Sequence, residues 1–219
     1  MAVGPLLVFT LNVLSAVVAF LTSYYAYKFR HVANNPVLDS IAFGFMMLGV
    51  GLLVEAGTSA AVGRTVVTMF LSRILAVAET FAYLSIQMVA YLIFALGYAM
   101  LAWRRSSTAV AMGSIALAAT PGAVDLFGLY RYAVVSYFVV LVLLAFVVFQ
   151  GALIHSRSPS RFSLLVLGAF FLILIAHIVL LVSVVALSEI LFLTGTAVQF
   201  LGFVSLFAFL LRSGRVGAG

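Results

Sequence analysis

Cysteine is absent from the 219 residues, which removes disulfides, thiolate metal sites and cysteine nucleophiles together. Charge is nearly absent as well. Charged residues make up 7% and hydrophobic residues 66%, where a soluble domain carries about 25% charged and about 45–50% apolar residues. No soluble fold could cover that much apolar surface, so the solvent must be lipid. The apolar segments recur along the whole chain, which separates them from a cleaved N-terminal signal. Lysine occurs once, at Lys28, far from the last apolar segment; a retinal Schiff base there is excluded. Paired aspartates, HExxH and a Ser–His pair are all missing, and Asp39 and Asp125 fall towards opposite faces. Intramembrane proteolysis is excluded on that ground, and phosphate chemistry by the lack of clustered basic and acidic groups in the membrane plane.

What is present is a series of long apolar runs. A transmembrane helix needs roughly 20 mostly apolar residues. The sequence predicts an all-α membrane protein with a single domain of seven spans, over residues 4–27, 37–56, 79–103, 106–125, 132–154, 162–187 and 190–211. The fourth is the weakest, rich in Ala, Ser and Gly with Pro121 near its end. Residues 57–78 are read as an outward, bent extension of the third span; the alternative is a short amphipathic helix on the membrane surface.

The basic residues set the orientation. Lys28, Arg30, Arg104, Arg105, Arg157, Arg161, Arg212 and Arg215 lie on one side with Asp39, a net of +7. Arg64, Arg73 and Arg131 lie on the other with Glu55, Glu79, Asp125 and Glu189, a net of −1. The positive-inside rule then places the N-terminus outside and the C-terminus in the cytoplasm. The net charge of +6 is therefore a topology signal and not a nucleic-acid footprint.

A weak internal echo links Tyr25–Glu55 with Gly151–Leu181. Each has an apolar helix end, a basic turn with His and Pro, and a Gly-containing apolar helix. Two triplets joined by the fourth span, a 3+1+3 arrangement in parallel orientation, would produce it. Seven-helix sugar carriers share that topology, but their proline–glutamine signatures are absent here. In hydropathy and topology alone the chain also resembles the seven-helix sensory modules that stand in front of histidine kinases, with no motif to carry the likeness.

Polar side chains within the spans mark the candidate site. His177 falls about 22 Å from the inner boundary at 1.5 Å per residue. Gln87 comes out at similar depth and Gln199 near the middle of the last span. Thr80, Gln87, Tyr91 and Tyr98 form one stripe of a helix, and Asn12 and Ser15 share a face of the first. Intramembrane polar groups usually face the bundle interior, since exposure to lipid is costly. The expectation is an outward-facing polar cavity with His177, Gln87 and Gln199 deep and Glu55, Glu79 and Glu189 at its mouth. The competing reading makes the glutamates solvated helix ends and the others interhelical glue. Six glycines, Gly44, Gly49, Gly51, Gly168, Gly195 and Gly202, are candidates for close helix contact. A bis-histidine haem would need a second histidine at matched depth, and His31 and His155 lie in the basic turns. A zinc or iron site of His177 with Glu55 or Glu189 has no motif behind it, so no cofactor or metal is expected.

These observations predict a non-enzymatic, multi-pass protein of the cell membrane. The first reading is a ligand-binding or partner subunit of a larger membrane complex. Its partners would be the lipid bilayer, a membrane protein or a second copy, and a small lipid-like ligand or quinone, but no nucleic acid. The alternative is a proton-coupled small-solute transporter, in which His177 would use the one side chain that ordinarily changes charge near neutral pH. A sensor module and a haem-binding redox subunit come after these.

Overall fold

A computed structural model describes residues 3–33, 36–62, 69–103 and 126–216. They form six helices: α1 (Val3–Ala33), α2 (Pro36–Val62), α3 (Met69–Trp103), α4 (Leu126–Arg157), α5 (Arg161–Ala186) and α6 (Glu189–Val216). All six are long and apolar enough to cross a membrane. The expected span over 106–125 lies outside the described residues. The helices outrun the apolar windows at the acidic end. α2 continues to Val62 and α3 begins at Met69, so much of 57–78 extends the two helices on either side of it.

The helices form a closed ring. Neighbours are α1·α2, α2·α3, α3·α4, α4·α5, α5·α6 and α1·α6. Large apolar side chains stand exposed on the rim, among them Leu14, Phe138, Phe149, Phe171 and Ile178. Such a belt is stable only against lipid or another apolar chain. Inside lie Phe45, Leu48, Phe94, Leu144, Phe170, Ile173 and Phe203, all essentially inaccessible.

Contacts fix the direction of each helix. Arg30 pairs with Asp39 at 3.1 Å and Ser23 donates to the Ala42 carbonyl at 2.7 Å, so α1 and α2 are antiparallel. His155 meets Ser163 at 2.7 Å, which makes α4 and α5 antiparallel. Two ring pairs are parallel. Ser85 and Tyr132 bond at 2.7 Å and Phe81 stacks on Tyr132 at 4.3 Å, so α3 and α4 begin at the same end. Tyr25 packs on Phe207 at 5.8 Å, which aligns α1 with α6. Trp103 therefore lies at the opposite end from Leu126.

Charges collect accordingly. Lys28, Arg30, Asp39, Arg157 and Arg212 lie at the basic end; Glu55, Arg131 and Glu189 lie at the other. Capping is visible at the basic end of α5. Ser160 and Ser163 exchange backbone and side-chain hydrogen bonds in a capping box, which satisfies helix N–H groups that would otherwise be orphaned.

Glycines set the α2–α3 distance. A methyl at Gly44 would overlap the Phe94 ring, and one at Gly97 would overlap the Ser40 side chain. Without a hydrophobic drive between helices in lipid, such close approach supplies the packing energy. Of the glycines singled out in the sequence, Gly44, Gly49, Gly51, Gly195 and Gly202 meet neighbouring helices. Gly168 does not: among the described residues nothing lies within 4 Å of the place a methyl would take, because it falls on the exposed rim of α5. Gly97 takes its place.

Candidate functional site

His177 on α5 is completely buried. Its Nδ1–H donates to the Ile173 carbonyl one turn back at 2.8 Å. With that proton placed, a neutral ring presents a lone pair at Nε2. The Gln87 amide of α3 fills it, its Nε2–H donating at 2.8 Å. The depth match read from the sequence is thus a direct bond across the ring interior. Tyr91, one turn along α3 from Gln87, meets the imidazole edge-on at 5.0 Å. Tyr137 of α4 stands 6.4 Å from it, tilted by 55°.

The His177–Gln87 bond fixes the rest of the amide. Gln87 Oε1 must point away, and it is buried without a partner among the described residues. Gln199 of α6 reaches the neighbourhood of the Tyr91 hydroxyl, yet neither that hydroxyl nor Gln199 Nε2 completes a well-formed hydrogen bond. Both polar atoms of the Asn12 side chain on α1 and the Ser136 hydroxyl on α4 are in the same position. Each unsatisfied buried group costs about 1–3 kcal/mol. Five residues on four helices share this debt, and they lie at mid-span or on its acidic side.

Glu55 is half-buried near the end of the α2 span. Its carboxylate accepts from the Tyr83 hydroxyl of α3, with Tyr137 close by. Tyr83 and Tyr137 therefore connect the glutamate to the histidine layer. Glu189 does not join: it is exposed in the first turn of α6. The Glu79 side chain lies outside the described residues. The expected constellation is thus assembled for His177, Gln87, Gln199 and Glu55. Tyr83, Tyr137 and Ser136 were not expected in it. Tyrosine and serine are common interhelical glue, and their depth along a helix does not say which way they face.

Beneath the polar layer, towards the basic end, the interior turns aromatic. Phe45 meets Phe94 at 5.2 Å and Phe203 at 5.4 Å, and Phe94 meets Phe170 at 5.7 Å. Tyr91 links the two layers, 5.7 Å from Phe94. Among the described residues no group of three or more His, Cys, Asp or Glu is placed to hold a metal ion.

The His177–Gln87 pair gives a testable balance. His177→Phe keeps the edge contact with Tyr91 but strands the whole Gln87 amide, at about 1–3 kcal/mol. Adding Gln87→Leu removes the stranded group and restores most of that stability. Steric-trapping measurements in micelles check the cycle, and a double variant no more stable than His177→Phe alone would refute it. Compared with family models, curated proteins and solved structures, the chain matches none.

Proposed function

We propose that this is a multi-pass membrane protein with a ligand site at the His177 layer, open towards the acidic end. The positive-inside rule makes that end the outside. The observation that carries the reading is the convergence of unsatisfied buried groups. Gln87 Oε1 is an acceptor, Gln199 Nε2 a donor, and the Tyr91 hydroxyl either. A bound molecule that offers both a donor and an acceptor would satisfy all three. Among the described residues the inner layer carries no formally charged side chain, so the ligand is small, polar and uncharged. A quinone only accepts, and it would leave Gln87 Oε1 unmet. Aromatic faces from Tyr91 and Tyr137 supply apolar walls of the kind small-molecule sites use. Glu55 with Tyr83 stands at the entrance.

The seventh span belongs to the same proposal. Residues 104–125 must return from the Trp103 end to the Leu126 end. As one helix, 22 residues reach about 33 Å, close to the thickness of a hydrocarbon core. Between the two forms of the first reading, ligand binder and partner subunit, the polar interior supports the binder. The apolar rim suits lipid and a protein partner equally.

Thermal unfolding in mild detergent tests the site against uncharged polyols, sugars and amides. A ligand at a hundred times its Kd stabilises the fold by about 2.7 kcal/mol, a clear rise in Tm. The His177→Phe/Gln87→Leu variant, which keeps its packing, should show no rise with the same compound. A panel without a single hit, or a hit that shifts the variant equally, sinks the reading.

A further inference from the structure

The ring can be divided into two triplets, α1–α2–α3 and α4–α5–α6. Both run in the same sense, because α3 and α4 begin at the same end. A two-fold axis along the membrane normal would exchange them, carrying α1 to α4, α2 to α5 and α3 to α6. The closing contacts obey it. The parallel pair α3·α4 becomes the parallel pair α6·α1, and both are present.

Side chains obey it too. Counted from the helix starts, Phe45 stands nine residues beyond Pro36 in α2 and Phe170 nine beyond Arg161 in α5; counted from the apolar spans the two differ by one residue. Phe94 stands fourteen residues beyond Thr80, where the α3 span begins, and Phe203 fourteen beyond Glu189, where α6 begins. The contacts between triplets are then equivalent. Phe94 meets Phe170 at 5.7 Å and 74°, and Phe203 meets Phe45 at 5.4 Å and 78°. The polar groups follow the same rule. Asn12 lies six residues into the α1 span and Ser136 six into that of α4; Gln87 and Thr196 lie seven into theirs. All four are buried.

We infer that the chain is a carrier: the two triplets rock against one another, and Phe45, Phe94, Phe170 and Phe203 form the gate between the polar site and the basic end. The inference rests on the ligand site proposed above and adds to it passage across the membrane. Three features support it. The four rings come one from each of α2, α3, α5 and α6 and form a continuous row, Phe170–Phe94–Phe45–Phe203, whose two outer contacts run between the triplets. Their contacts are edge-to-face or tilted, with no hydrogen bond or ion pair to break when they slide. The polar groups lie on the far side of the rings from the basic end, so separating the triplets there would expose the same site to the other face. Repeats related by an axis along the membrane normal, with the site at their interface, suit alternating access by rigid-body rocking.

The cysteine-free chain permits a direct test. Ser136→Cys is nearly isosteric, and Thr196→Cys serves as a second reporter. Each is placed in sealed vesicles of either orientation and exposed to a membrane-impermeant cationic methanethiosulfonate. A carrier labels from both sides. Phe94→Leu, which loosens the gate, should raise the rate from the basic side roughly tenfold. Labelling confined to the acidic side, unchanged by Phe94→Leu, overturns transport and leaves the binding site standing. Labelling of both reporters from neither side overturns both.

Discussion

Phe94→Ala should cost about 3–5 kcal/mol of stability, the range for removing a fully buried aromatic ring. The ring touches Phe45, Tyr91 and Phe170 and covers Gly44. It therefore joins α3 to both α2 and α5. Water does not drive helices together in lipid, so the loss falls on packing contacts. The cavity left behind has no easy way to collapse, because the Gly44 and Gly97 contacts already hold α2 and α3 at close range. Steric trapping in bicelles reads the effect as a population of separated helices. A loss below about 1 kcal/mol, the range of a surface change, would show that the aromatic layer is loosely packed and would undermine the gate as well.

Gly44→Val is the complementary case. Here the interior is overfilled. Three ring carbons of Phe94 occupy the space that even a methyl would take. Overpacking a tight core costs about 1–3 kcal/mol and sometimes more. The Phe94 ring is enclosed by Phe45, Tyr91 and Phe170, which leaves α2 and α3 to part. The two substitutions should not add. In a Phe94→Ala background the valine enters vacated space, and the double variant should be more stable than the sum of the single losses predicts by about 0.5–3 kcal/mol, the range of coupling between residues in contact. Strict additivity would mean that the glycine and the ring do not share that space.

Much of this arrangement is legible in the sequence. Hydropathy places the six described helices, though α2 and α3 run past their apolar windows at the acidic end, and the arginines sort the two ends before any contact is known. Depth counting brings His177 and Gln87 to one level, and their bond follows because two amphoteric groups in lipid find each other or go unmet. Azimuth is harder. Glu189 has a plausible depth but sits on an exposed first turn. Gly168 resembles the contact glycines and lies on the rim, while Gly97 closes α3 on α2 unannounced. In a two-faced soluble helix the polar side would settle such questions; here lipid-facing and core-facing residues are both apolar. The phenylalanine gate was hidden for the same reason. Twenty phenylalanines are spread through the chain, and only the starts of the helices and of their apolar spans show that four of them are two matched pairs. The echo between Tyr25–Glu55 and Gly151–Leu181 pointed to a relation between triplets through their basic turns, and the matched phenylalanines lie within and beyond those same segments.

The shared direction of α3 and α4 bears on how such a chain could have arisen. Three crossings are an odd number. If a gene for one triplet were copied end to end, the second copy would enter the membrane upside down. Two upside-down halves can meet only across an axis in the membrane plane, and the pairing of Phe94 with Phe170 and of Phe203 with Phe45 would be lost. A duplication that keeps both copies upright needs one additional passage between them. Ancestry of this kind predicts that the segment joining the halves was recruited as a spacer, free to drift in composition while the triplets on either side stayed matched.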